Sequence, residues 1–302
     1  TVISPFMHQQ KKAYIFTVSA ILFWSTAATA FKLALTELDF VQLLFIAALV
    51  SVVVLTVILA IQKKVHVIFS FSKKDYLRSA LLGFLNPFLY YFVLLKAYSL
   101  LPAQIAQPLN YAWPIMLVIL AVPLLGRKIT MRSFASILIG FAGVIFISSE
   151  GNLSGYHVSS PFGVILALGS SLIWATFWLL NVKDKREEIP KLLLNFFFGL
   201  IFIIAAMYLF SDFDIPFKPA VFAAVYAGFF EMGITFVLWL KGLQMTNSTD
   251  RISNLVFISP FLSLIFIHLI LKENIYYTTL IGLVLIVGGI IIQQTGKKKP
   301  GV

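Results

Sequence analysis

Glu231 is the one acidic side chain that lies near the middle of a long apolar stretch of this chain. A charged group at the centre of a bilayer costs about 2.5–3.5 kcal/mol on insertion scales, so we expect Glu231 to face the interior of a helix bundle. There a carboxylate can pair with a cationic group or carry a proton. The alternative is a neutral, structural carboxyl group that is hydrogen-bonded to a neighbouring helix.

Polar side chains lie four residues apart in two apolar stretches, and this spacing places each pair on one helix face. Thr235 follows Glu231 in one stretch, and Tyr90 follows Asn86 in the other, where Asn86 precedes Pro87. We expect these two faces to form part of the wall of an internal cavity.

A third polar face is predicted where Gln107, Asn110, Tyr111 and Pro114 follow one another at helical spacing. A proline at mid-span removes one backbone hydrogen bond, and in hydrocarbon the freed carbonyl must find a partner or face a wet cavity. Since crossing a membrane requires no such break, we expect this face to lie on a substrate path. Trp113, which is attached to it, is expected to line the same path.

Aromatic side chains form a further candidate surface, because Ser171, Trp174 and Trp178 share a helix face by their spacing. Aromatic stripes at helical spacing usually serve packing, and the 30 Phe residues show that this chain uses aromatic rings freely. The sequence therefore leaves cavity lining and packing open for Trp174 and Trp178.

The break at Pro114 recurs once, where Ser253 and Asn254 precede Pro260 near the middle of a later apolar stretch. We expect these two prolines, together with Pro87, to mark helix breaks that permit gating motions. The recurrence indicates two copies of one unit that meet at an internal site.

Length and composition place the chain in a membrane. Of its 302 residues 60% are hydrophobic and 12% are charged, and the mean hydropathy is +0.96, whereas soluble domains carry about 25% charged residues. The net charge of +11 does not indicate a nucleic-acid partner, because most of the 23 Lys and Arg lie in short segments between or beyond the apolar stretches, where they set orientation. The chain has no Cys, which excludes disulfides and thiol chemistry. We expect no cofactor and no metal.

Ten apolar stretches have about the 20 residues that one bilayer crossing needs. They are 13–36, 40–62, 76–98, 103–125, 130–148, 160–182, 191–210, 219–242, 250–271 and 275–295. The Lys and Arg residues between them fall on alternate sides, which predicts a multi-pass protein of the cell membrane with both termini in the cytoplasm. Lys32, Lys96, Lys241 and His268 lie at span ends, where we expect their side chains to reach the headgroup layer.

The two halves of the chain match each other in order. The matched residues are Trp24-x-Thr26 with Trp174-x-Thr176, Gly83-Phe84 with Gly228-Phe229, Leu95-Lys96 with Leu240-Lys241, Pro114 with Pro260, and Gly143 with Gly289. Five spans per unit is an odd number, so the second copy enters the membrane from the other side and forms an inverted repeat. Each half can then close one end of a central cavity in turn, which is typical of a carrier and has no use in a scaffold.

The predicted fold is an all-α integral membrane protein of ten transmembrane helices, arranged as two inverted five-helix repeats around a central cavity. Its units are a cytoplasmic segment 1–12, a first repeat 13–148, an extracytoplasmic linker 149–159, a second repeat 160–296 and a basic tail 297–302. Residues 1–6 precede a methionine, and we interpret them as a non-native addition. Glycines are expected to permit close contact of the fifth and tenth spans, and these are Gly140, Gly143, Gly282, Gly288 and Gly289.

Taken together, these features resemble the drug/metabolite transporter superfamily and, more narrowly, the EamA-type bacterial exporters. The resemblance extends from about Lys12 to Gly296, and it is carried by Trp24-Ser25-Thr26, Asn110-Tyr111-x-Trp113-Pro114, Gly143, Gly289 and the five-plus-five layout. The Asn-Tyr-x-Trp-Pro signature is similar to that of the branch that exports aromatic amino acids and related metabolites. Many relatives carry an Arg early in the second span, whereas residues 45–48 contain none. This departure puts in doubt substrates whose anionic group would pair with that Arg.

The inverted repeat and the resemblance predict an exporter of small metabolites, with aromatic or other hydrophobic amino acids as the expected substrates. A broader drug, metabolite or nucleoside-type exporter stays open, and so does a passive channel. A membrane enzyme would need paired carboxylates, a His cluster or a nucleophile with its base at one membrane face, and Glu231 has no such partner in the sequence. The expected partners are a small-molecule substrate and the lipid bilayer. The sequence leaves open whether the carrier works alone or as a homodimer.

Overall fold

The computed structural model describes residues 5–125, 130–153, 158–215, 217–246 and 254–294, and this part of the chain is helical without strands. Its α-helices are α1 Pro5–Ala34, α2 Phe40–Ile61, α3 Val65–Phe69, α4 Lys73–Gly83, α5 Tyr90–Leu100, α6 Ala103–Asn110, α7 Trp113–Leu125, α8 Met131–Ser148, α9 Pro161–Asn181, α10 Glu188–Phe210, α11 Pro219–Tyr226, α12 Thr235–Met245, α13 Ser259–Phe266 and α14 Tyr277–Gln294. The all-helical class predicted from the sequence is confirmed for these residues.

Irregular turns join several of these helices into longer rods. π-Helical segments occupy Phe84–Leu89 between α4 and α5, Ala227–Ile234 between α11 and α12, and Ile267–Leu271 after α13, while a 3-10 turn, Leu255–Ile258, precedes α13. Such irregularities are frequent at functional sites. The first segment contains Asn86 and the second contains Glu231, so both coincide with polar faces predicted from the sequence.

Seven helices of the described part are long and apolar enough to cross a membrane. They are Gln9–Ala34, Phe40–Ile61, Lys73–Leu100, Met131–Ser148, Pro161–Asn181, Glu188–Phe210 and Pro219–Met245, and two shorter apolar helices follow at Leu255–Leu271 and Tyr277–Ile292. The predicted stretch 103–125 is divided, since α6 ends at Asn110 and α7 begins at Trp113. The length and apolar surface of these helices therefore indicate a protein that crosses the membrane several times.

Helices α8 and α14 pack along each other through glycines. A Cβ atom on Gly143 would lie 2.6 Å from the carbonyl oxygen of Gly282, and one on Gly282 would lie 2.5 Å from that of Gly143. Backbone contact this close excludes any side chain at either position. The sequence analysis also expected Gly288 to permit close helix contact, and this is wrong, because a Cβ atom on Gly288 would meet no atom within 4 Å.

Two helix crossings hold the π-helical segments in place. A Cβ atom on Gly83, just before the first segment, would lie 2.2 Å from the carbonyl oxygen of Asn195 on α10. One on Gly228, inside the second segment, would lie 2.4 Å from the carbonyl oxygen of Ala47 on α2. Each segment thus lies against a helix from the other half of the chain, α10 for the first and α2 for the second.

A charged cluster ties α4 to the segment before α10, at the end of the bundle that we predict to be cytoplasmic. The Arg186 guanidinium donates to the fully buried Asp184 carboxylate at 2.5 Å from Nη2 and 3.0 Å from Nε, and to the carbonyl oxygen of Asp75 at 3.0 Å. Burial of Asp184 disfavours its charged form, but the hydrogen bonds and the positive charge of Arg186 outweigh this cost and lower the pKa of the carboxyl group. This end of the bundle is therefore fastened by ion pairs.

Candidate functional site

Glu231 lies in the π-helical segment Ala227–Ile234, where it faces α5. The Tyr91 hydroxyl donates to its Oε1 at 3.1 Å, whereas its Oε2 is buried and has no hydrogen-bond partner among the described residues. On the next residue, the carbonyl oxygen of Met232 accepts from the Ser51 hydroxyl of α2 at 2.9 Å. The carboxylate is thus held at one oxygen and left free at the other.

A second polar network begins at the neighbouring tyrosine and joins three helices. The Tyr90 hydroxyl of α5 donates to Oδ1 of Asn110 on α6 at 3.1 Å, and the Asn110 amide nitrogen donates to the Ser170 hydroxyl of α9 at 2.8 Å. The rings of Tyr90 and Tyr91 lie 4.7 Å apart, centroid to centroid. The two networks are therefore adjacent, and both depend on consecutive residues of α5.

Aromatic rings cover the same region from α9. The Trp174 ring lies 4.6 Å from that of Tyr90, 5.8 Å from that of Trp178 and 6.2 Å from that of Phe236 on α12. Trp174 and Trp178 are both partly exposed. Trp174 thus lies beside the Tyr90 network, Trp178 lies next to Trp174, and both rings keep part of their surface exposed.

Further buried polar atoms around this region have no hydrogen-bond partner in the described part of the chain. They are both side-chain atoms of Asn86 and Asn195, Oε1 of Gln107, Oγ1 of Thr235 and Oε2 of Glu231. An unsatisfied buried polar group costs about 1–3 kcal/mol, so proteins keep few of them. These seven are among twelve such atoms in the described part of the chain, and polar atoms left without partners inside a helix bundle are typical of a site that receives a polar ligand or water.

The predicted polar face around Pro114 is not continuous, and this corrects the sequence analysis. Gln107 and Asn110 are buried on α6, whereas Tyr111 lies in the turn between the two helices and Trp113 is the first residue of α7. A proline in the first turn of a helix costs little, because its missing N–H would have no partner there. The chain therefore ends one helix and starts another where we expected a bend.

The face predicted for Asn86 and Tyr90 is also wrong in detail. Asn86 has a non-helical backbone with φ −148° and ψ 119°, because the ring of Pro87 excludes the α conformation from the residue before it. Thr235 is buried at the start of α12, four residues after Glu231 of the π-helical segment. The four-residue spacing of Asn86 and Tyr90 thus does not define one regular helix face, whereas the shared face of Glu231 and Thr235 stays a prediction.

Pro260 lies at the second position of α13, after the 3-10 turn, so it too follows an interruption of the helix. The preceding Ser259 hydroxyl is 3.1 Å from that of Ser25 on α1. Ser253 lies outside the described residues, and Asn254 is exposed. Each of the three predicted prolines therefore lies in or just after an irregular turn.

Sequence reasoning missed three residues of the site, namely Tyr91, Ser51 and Ser170. Each was visible as a polar side chain inside an apolar stretch. The partner of each depends on a helix crossing between distant parts of the chain, which the spacing along one helix does not predict.

A bundle of long apolar helices with a buried polar site at its irregular turns defines a multi-pass membrane transporter. The model of the EamA-like transporter family matches residues 11–149 and 161–293, and the chain belongs to this family. The family and the names of the relatives indicate a transporter rather than an enzyme.

The relatives of this chain carry transporter names. It is 26% identical over 227 residues to the uncharacterized transporter YvbV of Bacillus subtilis, covering 74% of this chain and 72% of that protein. It is 25% identical over 302 residues to an uncharacterized transporter of Clostridium kluyveri, covering 96% and 95%. A shorter match, 24% identical over 137 residues, covers 41% of this chain and 31% of solute carrier family 35 member F5 of Macaca fascicularis.

A crystal structure of another protein matches with a TM-score of 0.66 at 20% sequence identity, covering 94% of this chain and 97% of that one. This likeness shows a shared fold over nearly the whole length of both chains.

Proposed function

We propose that the chain is an alternating-access exporter of small amino-acid-like metabolites, whose ammonium group binds at Glu231. The half-satisfied carboxylate carries this proposal, since Tyr91 occupies Oε1 while the buried Oε2 has no partner among the described residues. Burying a charge is costly unless a partner joins it. An ammonium group supplies both the opposite charge and the hydrogen-bond donors.

The aromatic surroundings favour substrates with aromatic or other hydrophobic side chains. Trp174 is partly exposed beside Tyr90, with the partly exposed Trp178 next to it, and rings of this kind bind apolar groups and cations on their faces. Trp113 and Tyr111 are partly exposed at the interruption between α6 and α7, and we place them on the path that leads to the site.

The proposed arrangement is ten spans in two inverted five-helix repeats, 13–148 and 160–296, with both termini cytoplasmic in the cell membrane. One family model matches the chain in two successive segments, which is what an internal repeat produces. The close contacts of Gly83 with α10 and of Gly228 with α2 are related in the same way. Two such units support alternate opening of a fixed site.

The test is transport by the purified protein in proteoliposomes. Counterflow is measured with a panel of amino acids, nucleosides and amphipathic cations, for the wild type and for Glu231→Gln, which preserves shape but cannot ionise. Glu37→Gln serves as the matched control, because Glu37 is an exposed carboxylate at a helix end, away from the site. We expect Glu231→Gln to lose zwitterionic and cationic substrates and to retain neutral ones.

Two other results would change the assignment. Loss of accumulation driven by a pH gradient, with counterflow retained, would make Glu231 a proton carrier instead of a charge partner. Wild-type accumulation, counterflow and substrate preference in Glu231→Gln would show a structural carboxyl group and overturn the proposal. Transport of nucleosides or cations in place of amino acids would redirect the substrate class to the broader exporters.

A further inference from the structure

The turn Leu101–Pro102 joins α5 to α6 at the end of the bundle where α1 also ends. Helix ends leave backbone groups unpaired, carbonyls at the end of α5 and amides at the start of α6. Lys32 of α1 reaches the first set, since its Nζ donates to the carbonyl oxygen of Tyr98 at 2.9 Å and to that of Leu101 at 3.1 Å. Lys32 is therefore engaged inside the protein, and our expectation that it reaches the headgroup layer is corrected.

Glu273 reaches the second set from the opposite half of the chain. Its carboxylate accepts from the backbone N–H of Ala103 at 2.9 Å and from that of Gln104 at 3.2 Å. A cation at a helix C-terminus and an anion at a helix N-terminus both complement the helix dipoles. The α5–α6 turn is thus held between two opposite charges that come from outside it.

The side chain of Gln104 fastens the same loop a second time. Its Nε2 donates to the carbonyl oxygen of Asn274 at 2.9 Å, and its Oε1 accepts from the backbone N–H of Tyr276 at 2.8 Å. His268 lies against the loop as well, with Nδ1 2.9 Å from the carbonyl oxygen of Glu273. The segment 272–276 therefore acts as a strap across the start of α6.

Packed rings separate this strap from the candidate site. Tyr91, which binds Glu231, lies 6.3 Å from the ring of Phe31, and Phe31 lies 5.4 Å from the ring of Tyr98, whose carbonyl oxygen binds Lys32. Phe31, Tyr91 and Tyr98 are each at most 2% exposed. A shallow surface depression of about 570 Å³ lies beyond them, lined by Lys32, Gln104 and Glu273 among other residues. The site is thus closed towards this end.

We propose that Lys32, Glu273 and Gln104 form the gate at this end of the transport path, which the charge pattern makes the extracytoplasmic end. The helices they clamp are those that carry the site, because α5 bears Tyr90 and Tyr91 and α6 bears Asn110. Release of the strap frees both helices to separate from α1 and opens the ring layer. This gate deepens the proposed function, since it rests on transport by alternating access.

Accessibility of a single cysteine tests the gate without any substrate. The chain has no native Cys, and Thr29→Cys places a thiol at a buried position of α1, two residues before Phe31. In Glu273→Gln two charge-assisted hydrogen bonds are weakened, so we expect a membrane-impermeant maleimide added outside to label Cys at position 29 about tenfold faster than in the parent. Glu37→Gln is the control, because Glu37 also faces a helix start, at Ala220, but lies outside the strap.

Cross-linking provides the second arm, which does not depend on how well Glu273→Gln folds. Cysteines at positions 104 and 274, joined by a short bifunctional thiol reagent that can be cleaved, should abolish counterflow, and cleavage of the link should restore it. Unchanged labelling in Glu273→Gln, or full counterflow in the cross-linked protein, would overturn the gate. Since labelling needs no substrate, a wrong substrate class for Glu231 would leave the labelling result intact.

Discussion

The π-helical segments Phe84–Leu89 and Ala227–Ile234 interrupt long helices at places that correspond in the proposed repeat, yet different residues produce them. The first contains Pro87 and the non-helical Asn86, whereas the second contains no proline and carries Glu231. A glycine lies against a crossing helix at the start of each one. The two halves therefore share the shape of the break and the crossing that holds it.

The chemistry of the two segments differs because only one of them bears a charge. Asn86 offers an amide with no partner in the described part of the chain, and Glu231 offers a carboxylate held by Tyr91. The backbone of the second segment is supported by a hydroxyl, since Ser51 donates to Met232. The first segment is supported by packing instead of a hydroxyl, because the ring of Pro87 lies against Gly199 of α10. In the proposed repeat the geometry of the break is kept while the site becomes asymmetric, and this agrees with the proposed zwitterionic substrate, whose two ends are unlike.

The largest effect is expected from removal of the charge. Glu231→Ala should lower the rate of counterflow by about 100-fold or more, because truncating one partner of a buried charge pair costs about 2–5 kcal/mol. Asn86→Ala, in the other π-helical segment, should lower the rate of counterflow by about tenfold or less. The bond lost there is a neutral hydrogen bond from the Asn86 amide to the substrate, and such bonds contribute about 0.5–1.5 kcal/mol. Equal losses in the two variants would show that the segments are chemically equivalent.

The next largest effect is expected on substrate affinity when the hydroxyls of Tyr90 and Tyr91 are removed. Tyr91→Phe removes a hydrogen bond to a carboxylate, and we expect a loss of about 1.5–3 kcal/mol in substrate affinity. Tyr90→Phe removes a neutral hydrogen bond to Asn110, so its effect should be smaller. Equilibrium binding of the transported substrate measures both, with Tyr208→Phe as a control on the exposed surface. A larger effect at Tyr90 would place the ligand at the Asn110 network.

The shared geometry is tested by a pair of glycine substitutions. Gly83→Ala and Gly228→Ala each place a Cβ atom within 2.4 Å of a backbone oxygen, and overpacking of this kind costs about 1–3 kcal/mol. Thermal unfolding in detergent should show a lower midpoint for both variants. Gly169→Ala, where a Cβ meets no atom within 4 Å, is the control and should not lower it. A lower unfolding midpoint in only one of the two variants would contradict the proposed match between the halves.

The smallest effect concerns backbone support in the second segment. Ser51→Ala leaves the carbonyl of Met232 without its donor, and we expect a loss of about 1 kcal/mol in stability. Thr56→Ala, an exposed hydroxyl on the same helix that bonds only to the preceding turn, is the comparison. If Ser51→Ala also raises the rate of counterflow, the hydroxyl restrains a movement of the segment, and its role extends beyond stability.

Much of this protein could be predicted from local properties of its sequence. The apolar stretches follow from hydropathy alone, and polar residues inside them, such as Glu231 and Asn110, are conspicuous because burying them in hydrocarbon is costly. The conformation of Asn86 was implicit in the proline that follows it, yet our assumption of a regular helix hid it. Lys32 was interpreted as an interfacial residue because its position near a span end gave no sign of its contacts with the α5–α6 turn.

The amino-acid sequence is enough to show which segments avoid water and which of their residues are too polar to be buried in hydrocarbon without a partner. Only the tertiary structure paired these residues, because Tyr91 meets Glu231, Ser51 meets Met232 and Glu273 meets the start of α6 across separations of 140, 181 and 170 residues. Burial cost is a property of each side chain and can be predicted at its own position. The partner that offsets this cost depends on which helices cross and at what height, and that is set by packing over the whole bundle.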